Sequence, residues 1–334
     1  MLPLALFAAS SVPAPAVKWI LPDPPARQYW GVAGGTVFTV WPGSLYHRDR
    51  RGLGGPRGLV RVGYEEDGDV FMVNYLAVEP VVEGPRGYSE LEVSQLDQVR
   101  GKRFWPVHPL LGPDVEPREP EFRPEFTRLF RHPEGHEVLE VGIGVEPFRN
   151  GARPFLVLAI DSRRPEELVV RELAASDSAH IRQCIITATM GNYIRARRLW
   201  LAGEVVESSK LYPNFSGNGF APPTVFTRDR LLLKDGFRWV AITPDEADPA
   251  GVWPMPGGGW HYAGAPVTQY WRARDDHPEE DLLANVNGRA TYWAVHVPIP
   301  GGIAFENFEL IRPFHTGQEF IFGITRKTPQ ELGW

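Results

Sequence analysis

Short runs of alternating apolar and polar residues recur along this chain, and many of them end at glycine, proline or a pair such as Asp-Gly. Alternation with a period of two places successive side chains on opposite faces of a β-strand. Glycine (34) and proline (33) make up about a fifth of the 334 residues, so long uninterrupted helices are not expected. The sequence therefore predicts an all-β fold: a large β-sandwich of the jelly-roll or lectin-like kind, with long loops and at most one short helix.

Turn signals predict several hairpins and one helix. Each hairpin has alternating arms on both sides of an acidic or Gly-containing turn. Ser89 and Glu92 form a capping-box pattern, which predicts a helix over 89–100. The predicted hairpin arms are residues 59–64 with 70–82, 136–146 with 153–161, and 230–234 with 237–242.

Two segments bear on domain organisation. Residues 1–16 contain an apolar run that ends at Ala14-Pro15-Ala16, which resembles a secretory signal peptide with its cleavage site and predicts a secreted or periplasmic protein. Residues 106–135 are rich in proline and charge, so we expect little regular structure there. We expect this segment to wrap across a single sandwich domain over 17–334; the alternative is two β-domains divided near 106–135.

Charge and cysteine content argue against several classes of protein. A net charge of −6 is unfavourable for a nucleic-acid-binding protein, which needs basic residues to replace phosphate counterions. Cys184 is the only cysteine, so it cannot form an internal disulfide or a C-x-x-C site, and its apolar neighbours predict a buried thiol. No later stretch approaches the roughly 18 apolar residues of a membrane span.

No nucleotide-binding, zinc-protease or serine-hydrolase motif occurs in the chain. We therefore predict no cofactor and no metal ligands, with a structural calcium ion at Glu65–Asp69 as the one exception considered. That run lacks the spacing of an EF-hand loop, so a solvated hairpin turn is the simpler interpretation.

Residues 285–325 hold three alternating runs, 289–297, 303–311 and 318–325, which predict three strands on the wall of one cleft. In the first run, Tyr292 and His296 share a face with small alanines, which leaves space for a flat ligand. In the second run, the alternation predicts Phe308 and Glu306 on one face, with Phe305 on the other.

Aromatic residues with polar edges crowd beside Gly-rich loops in the C-terminal half. Sugar rings pack their C–H faces on aromatic planes, and their hydroxyl groups need Arg, Asn, Gln or carboxylate partners. The pattern predicts a cleft for a polysaccharide or oligosaccharide. The predicted substrate-binding residues are Trp260, His261, Tyr262, Trp271, Arg272 and Trp293.

The leading hypothesis for catalysis is β-elimination on a uronic-acid polysaccharide. Tyr292 or His296 would abstract the C5 proton and protonate the leaving oxygen, while Arg182 or Arg272 would neutralise the uronate carboxylate. Residues four apart on a strand are separated by roughly 13 Å. Tyr292 and His296 are therefore expected to serve neighbouring subsites.

Glycoside hydrolysis and glycan binding without catalysis are the alternatives. Hydrolysis needs two carboxylates, roughly 5 Å apart for retention or 6.5 to 9.5 Å for inversion. Glu306 and Glu319, on successive predicted strands, are the candidate pair. A non-catalytic glycan-binding protein would use the same aromatic residues without an acid or base.

Overall fold

The computed structural model describes residues 17–23, 29–40, 60–83, 124–145, 147–189, 195–244, 253–254, 260–262, 267–292 and 296–334. For 253–254 and 260–262 only the backbone is described. The predicted signal peptide, the predicted helix over 89–100, residues 106–123 and Trp293 lie outside the described residues.

The regular structure of the described residues is almost entirely β-strand, which confirms the predicted fold class. Two helices of one turn each, α1 (Ser208–Leu211) and α2 (Pro329–Leu332), are present where at most one was predicted. The strands are β1 (Trp19–Ile20), β2 (Trp30–Val32), β3 (Thr36–Val40), β4 (Val60–Glu66), β5 (Asp69–Val81), β6 (Phe126–Arg131), β7 (Glu137–Gly144), β8 (Pro154–Asp161), β9 (Glu167–Ala174), β10 (Gln183–Thr189), β11 (Ala196–Leu201), β12 (Glu204–Glu207), β13 (Thr224–Phe226), β14 (Leu232–Lys234), β15 (Phe237–Pro244), β16 (Trp253–Pro254), β17 (Trp260–Tyr262), β18 (Thr268–Arg274), β19 (Leu283–Arg289), β20 (Ala304–Ile311) and β21 (Gln318–Thr325).

These strands form two sheets that pack face to face as a β-sandwich. Sheet I has the order β1-β2-β3-β4-β5-β10-β20-β19-β13, with β17 paired to β5 and β16 paired to β17. Sheet II has the order β12-β11-β15-β18-β21-β9-β8-β7-β6, with β14 paired to β15. Because β5 pairs with β10, strands from both sides of residues 106–135 share sheet I.

All three predicted hairpins are confirmed: β4 pairs with β5, β7 with β8, and β14 with β15. Two of them turn on an Asp-Gly pair. Asp67 and Gly68 have φ angles of 54° and 92°, and Asp235 and Gly236 have 51° and 75°. Positive φ at both central residues is the requirement of a type I′ turn, which glycine and aspartate tolerate best.

The three C-terminal runs do not form one wall, and this prediction is wrong. β20 belongs to sheet I and β21 to sheet II, so no cleft has all three as its floor. The first run is not one strand, because β19 ends at Arg289 and the chain then reverses, with the Tyr292 N–H donating to the Val297 carbonyl at 2.8 Å. His296 has a φ of 53° in this turn. Histidine adopts the left-handed region of positive φ more readily than most residues. This position therefore does not need a glycine, and no glycine in the sequence indicates the turn.

Part of the proline-rich segment is also more regular than expected. Phe126–Arg131 forms β6, the edge strand of sheet II, where little regular structure was predicted. Most of its side chains are exposed on both faces of the strand. Since neither face is buried, the sequence carries no alternation that could have indicated a strand.

Trp271 lies at the centre of the core between the sheets. Its fully buried indole packs against Phe320 and Phe322, with ring centroids 6.4 and 4.8 Å away. The indole Nε1–H donates to the Phe308 carbonyl at 2.9 Å. Trp271 belongs to sheet II and Phe308 to sheet I, so this hydrogen bond joins the two layers.

Glu172 on β9 is a carboxyl group inside the same core. Burial raises its pKa to about 8, although a hydrogen bond from Gln318, the charge of Arg312 and a hydrogen bond from Cys184 act to lower it. Cys184 is buried and free of a disulfide, as predicted. Glu172 is therefore mostly protonated in the folded protein at neutral pH.

Replacing Trp271 by phenylalanine tests the role of its hydrogen bond between the sheets. We expect Trp271→Phe to lower the unfolding free energy by about 2 to 3 kcal/mol, because it leaves a cavity and removes the donor to a buried carbonyl. Urea unfolding measures the change. Trp200→Phe is the matched control, because Trp200 is half-buried and bonds the side chain of Thr243 within sheet II. Its cost should be about 1 kcal/mol or less, and equal costs at the two positions would contradict the expectation.

The proton on Glu172 predicts a pH dependence of stability. This carboxyl titrates near pH 4.5 in the unfolded chain and near pH 8 in the folded protein. Folding takes up a proton between these values, so this residue lowers the unfolding free energy by about 1.4 kcal/mol per pH unit as pH rises. Glu172→Gln should therefore gain stability relative to wild type between pH 4.5 and 8 in urea unfolding. Parallel stability curves for the two proteins would show that the core holds no such proton.

Candidate functional site

The outer face of sheet I carries a row of polar side chains across five neighbouring strands, β3, β4, β5, β10 and β20. The strand register places each member opposite the next. Their sequence neighbours, such as Phe38, Leu76 and Phe308, belong to the core, so the alternation directs the row outward. The members of this polar row are Thr39, Arg61, Tyr75, Thr189 and Asn307.

The polar row is well shielded from bulk solvent. Thr189 is half-buried, and the other four members are buried. Arg61 and Tyr75 stand directly opposite each other on strands about 4.8 Å apart, so their side chains are neighbours on the outer face. Thr189 Oγ1 donates to Asn307 Oδ1 at 3.1 Å. Burying polar groups is costly unless each finds partners, and every member of the row does take part in a polar or ring interaction.

A carboxylate, Glu309, lies one step further along the same face and is fully buried. Its Oε1 accepts a hydrogen bond from Thr187 Oγ1, and its Oε2 accepts one from Asn285 Nδ2 at 2.9 Å. Thr187, Glu309 and Asn285 occupy paired positions on β10, β20 and β19. Donors on both neighbouring strands therefore fix the orientation of this carboxylate.

A β-bulge on β20 sets which side chains face outward. Phe308 pairs with Val286 but Phe305 pairs with Gly288, so one residue of β19 stands opposite two of β20. Phe305 and Phe308 consequently both enter the core. The prediction that they lie on opposite faces is wrong, because strict alternation assumes an unbroken register.

The β13 edge of this face is exposed at Val225. Val225 on β13 is 43% exposed and pairs with Asn285, which in turn bonds Glu309. On the other side, β17 pairs in parallel with β5 opposite Val70, Phe71 and Met72, shortly before Tyr75. The backbone of Trp260–Tyr262, three of the predicted substrate-binding residues, therefore joins the sheet that carries the polar row.

The predicted elimination residues are not brought together. Tyr292 is half-buried and His296 exposed, both in the turn that follows β19. Arg182 is exposed just before β10, where its carbonyl accepts from the Phe314 N–H. β19 ends opposite Ala304, so Tyr292 and Arg182 lie at opposite ends of β20, roughly 25 Å apart along its eight residues.

The predicted carboxylate pair is also divided. Glu306 is buried on β20 in sheet I, where its charge opposes the lowering of the Arg289 pKa that burial causes. Glu319 lies on β21 in sheet II, where Arg171 donates to it through Nε at 2.9 Å. Glu306 and Glu319 therefore lie on different sheets, not on adjacent strands as the hydrolysis hypothesis expected.

Two predicted substrate-binding residues belong to sheet II. Trp271 is a core residue with no exposed surface for a sugar. Arg272 is on the outer face of sheet II, where its Nε donates to Glu167 at 2.9 Å and its guanidinium stacks on Phe237, 4.2 Å from the ring centroid. Neither residue can contact a ligand on the polar row.

Sequence reasoning missed Arg61 and Tyr75. One local signal was available, since Arg61 stands between Val60 and Val62 inside an apolar strand. A charged residue at such a position has to face either a partner or a site. The assembly of the row, however, depends on pairing between strands that are distant in the sequence.

The structure describes two His/Glu clusters that could hold a metal ion, although no metal ligands were predicted. In each, the possible ligand atoms lie within 4.8 Å of one another, and neither cluster includes a member of the polar row. The first is His132, Glu134 and His136, and the second is His277, Glu280 and His315.

Glu65, the first carboxylate of the acidic turn that was considered for calcium, has a structural role. Glu65 accepts hydrogen bonds from the backbone N–H groups of Gly34 and Gly68, each at 2.6 Å. Glu65 therefore stabilises the turn between β4 and β5 and its neighbour between β2 and β3.

Neither α1 nor α2 in the described chain has the length and apolar character needed to cross a membrane. In comparisons with known proteins, no protein-family model, curated protein or solved structure matches this chain.

Proposed function

We propose that this protein is an exported carbohydrate-active enzyme that cleaves a polysaccharide by β-elimination on the outer face of sheet I. The observation that carries the proposal is the polar row, in which Arg61 and Tyr75 are direct cross-strand neighbours. The polar row replaces the pair Tyr292 and His296 as the proposed site, because its members share one face of one sheet.

Arg61 suits the recognition of a uronic-acid residue. A guanidinium presents a planar fork of donors that matches a carboxylate, and a buried setting strengthens the attraction between the two charges. Neutralising the carboxylate makes the C5 proton of the sugar more acidic, which is the main barrier to elimination. Asn307 and Thr189, further along the row, offer hydrogen-bonding groups for sugar hydroxyls.

Tyr75 suits the proton transfers. Its phenolate oxygen takes the C5 proton, the C5–H electron pair forms the C4=C5 double bond, and the C4–O bond breaks. The leaving glycosidic oxygen then receives a proton from the Tyr75 phenol. Protons and electrons balance without water or an oxidant, so one tyrosine can complete the cycle.

The shape of the site also suits a chain-like substrate. The polar row crosses five strands, roughly 20 Å, which is enough for several sugar rings. In the order of the strands, Asn285 and Glu309 lie between the exposed β13 edge and the strand of Tyr75. The backbone of β17, which carries three of the aromatic or imidazole residues predicted to bind substrate, pairs with β5 in the same sheet.

Tyr75→Phe distinguishes the two tyrosine sites that have been considered. With a panel of polyuronates as substrates, we expect turnover to fall by about 10²- to 10⁴-fold, because the proton acceptor is lost while the ring remains. The measurement is the appearance of unsaturated products that absorb in the ultraviolet. Tyr292→Phe is the matched control and should keep its activity; the reverse result would move the site to the turn after β19.

The same assay separates elimination from the alternatives. New reducing ends without ultraviolet absorbance would indicate hydrolysis, and glycan affinity without any product would indicate a binding protein. Either result would overturn the proposed reaction.

Arg61→Lys tests the recognition of the carboxylate. Lysine keeps the positive charge but lacks the planar fork, so we expect the KM for a polyuronate to rise by about tenfold or more, with binding of neutral glycans unchanged. Arg182→Lys, at an exposed position away from the row, should leave KM unchanged. An unchanged KM in Arg61→Lys, with an unchanged melting temperature, would contradict this role for Arg61.

A further inference from the structure

We propose that the tip of the β6–β7 hairpin is a binding site for a divalent transition-metal ion such as Zn²⁺, with His132, Glu134 and His136 as its ligands. This site is independent of the proposed reaction. It lies at the β6 edge of sheet II, whereas the polar row is on sheet I.

The hairpin brings the three side chains together through local geometry. The His132 N–H donates to the His136 carbonyl at 2.7 Å, which leaves a three-residue loop of Pro133, Glu134 and Gly135. Gly135 has a φ of 91°, the left-handed position that such a loop requires. The two imidazole rings stack with centroids 4.4 Å apart, and the Glu134 carboxylate lies close to both rings.

Distances within the cluster suit a small ion. Glu134 Oε2 lies 3.9 Å from both His132 Nδ1 and His136 Nδ1. Ligand atoms around tetrahedral Zn²⁺ are roughly 3.3 Å apart, given bond lengths of 2.0 to 2.2 Å. The two Glu134–His separations are within about 1 Å of this value, and all three candidate ligand atoms lie within 4.8 Å of one another, so adjustment of the three side chains would complete three ligand positions and leave a fourth for water.

His136 supplies a second, independent observation. Its side chain is 4% exposed, and its Nδ1 atom is buried without a hydrogen-bond partner among the residues that the structure describes. A buried polar atom without a partner is uncommon in native proteins and often marks a missing water or ion. This atom faces Glu134, inside the cluster.

The other ring nitrogen of His136 faces a second carboxylate. His136 Nε2 lies 3.3 Å from Asp161 Oδ2, and Arg163 orients that carboxylate by donating to it at 2.8 Å through Nη2. Nε2 is therefore engaged with Asp161, and Nδ1 is the ring nitrogen that faces Glu134 and is placed to bind an ion. A carboxylate behind the imidazole is the usual support of a metal-binding histidine.

Two existing contacts would change on metal binding. Arg163 Nη1 donates to Glu134 Oε2 at 2.8 Å, and the Glu134 N–H donates to His132 Nδ1 at 3.3 Å. Glu134 Oε2, the oxygen nearest both histidines, would exchange its bond to Arg163 for the ion. The second contact is long and would give way to the ion.

Charge and ligand type indicate which ions fit. Glu134, Asp161 and Arg163 together carry a net charge of −1, which favours a cation. Two imidazole nitrogens and one carboxylate oxygen suit Zn²⁺, Ni²⁺ or Cu²⁺ rather than Ca²⁺ or Mg²⁺, which prefer oxygen ligands.

Zinc titration of the full-length, EDTA-treated protein by calorimetry tests the proposal. We expect one zinc ion per chain at this site, bound at least about tenfold more weakly by His132→Ala and by Glu134→Gln. Both residues are largely exposed, so these variants should fold normally, which circular dichroism checks. The matched controls are His277→Ala and Glu280→Gln in the second cluster, and these should leave the zinc affinity unchanged.

Asp161→Asn tests the supporting role of the carboxylate. It should weaken zinc binding by about 10- to 100-fold while the melting temperature in EDTA changes little. The nitrogen NMR signals of His136 should also show zinc on Nδ1 and a proton on Nε2 in the wild type. The proposal is overturned if zinc does not bind at up to about 1 mM, if His132→Ala and Glu134→Gln bind it as wild type does, or if the control variants abolish binding.

Discussion

Close packing between the two sheets, centred on Trp271, is the constraint on which the other features depend. The indole fills the core from sheet II and bonds a sheet I carbonyl, and the buried amides of Asn74 and Gln269 join the layers again at 2.7 Å. These contacts fix which face of each strand is inside. Every outward position of sheet I is determined by that choice, since side chains alternate along a strand. The polar row is therefore a consequence of the core behind it.

The fold class and the hairpins could be predicted because they depend on local chemistry. Asp235-Gly236 can turn the chain without any distant contact, and alternation reports which residues share a face. The placement of β20 and β21 in different sheets could not be predicted, because strand pairing is decided by contacts between distant residues. The bulge on β20 and the left-handed conformation of His296 could not be predicted either, because neither requires a glycine or a proline at its own position.

The two sites differ in the same way. The polar row gathers residues from Thr39 to Asn307 through four strand pairings, so the sequence offers only scattered hints of it. Sequence reasoning instead favoured Tyr292 and His296, which are close in the chain but lie in a turn. The His132–His136 hairpin is contained in five consecutive residues. A search for histidines on both sides of a Pro-Glu-Gly turn would have found it without a structure.

The pairing of β5 with β10 has a consequence for how the chain folds. Tyr75 and Thr189 are neighbours in sheet I, although roughly a hundred residues separate them in the chain. During synthesis the chain must be extended past Thr189, more than half of its length, before β5 can pair with β10. Contacts between residues this far apart in the sequence form slowly. Until they form, the unpaired edge of β5 can associate with other chains. This topology therefore favours folding after synthesis, with the N-terminal strands as the segment most in need of a chaperone.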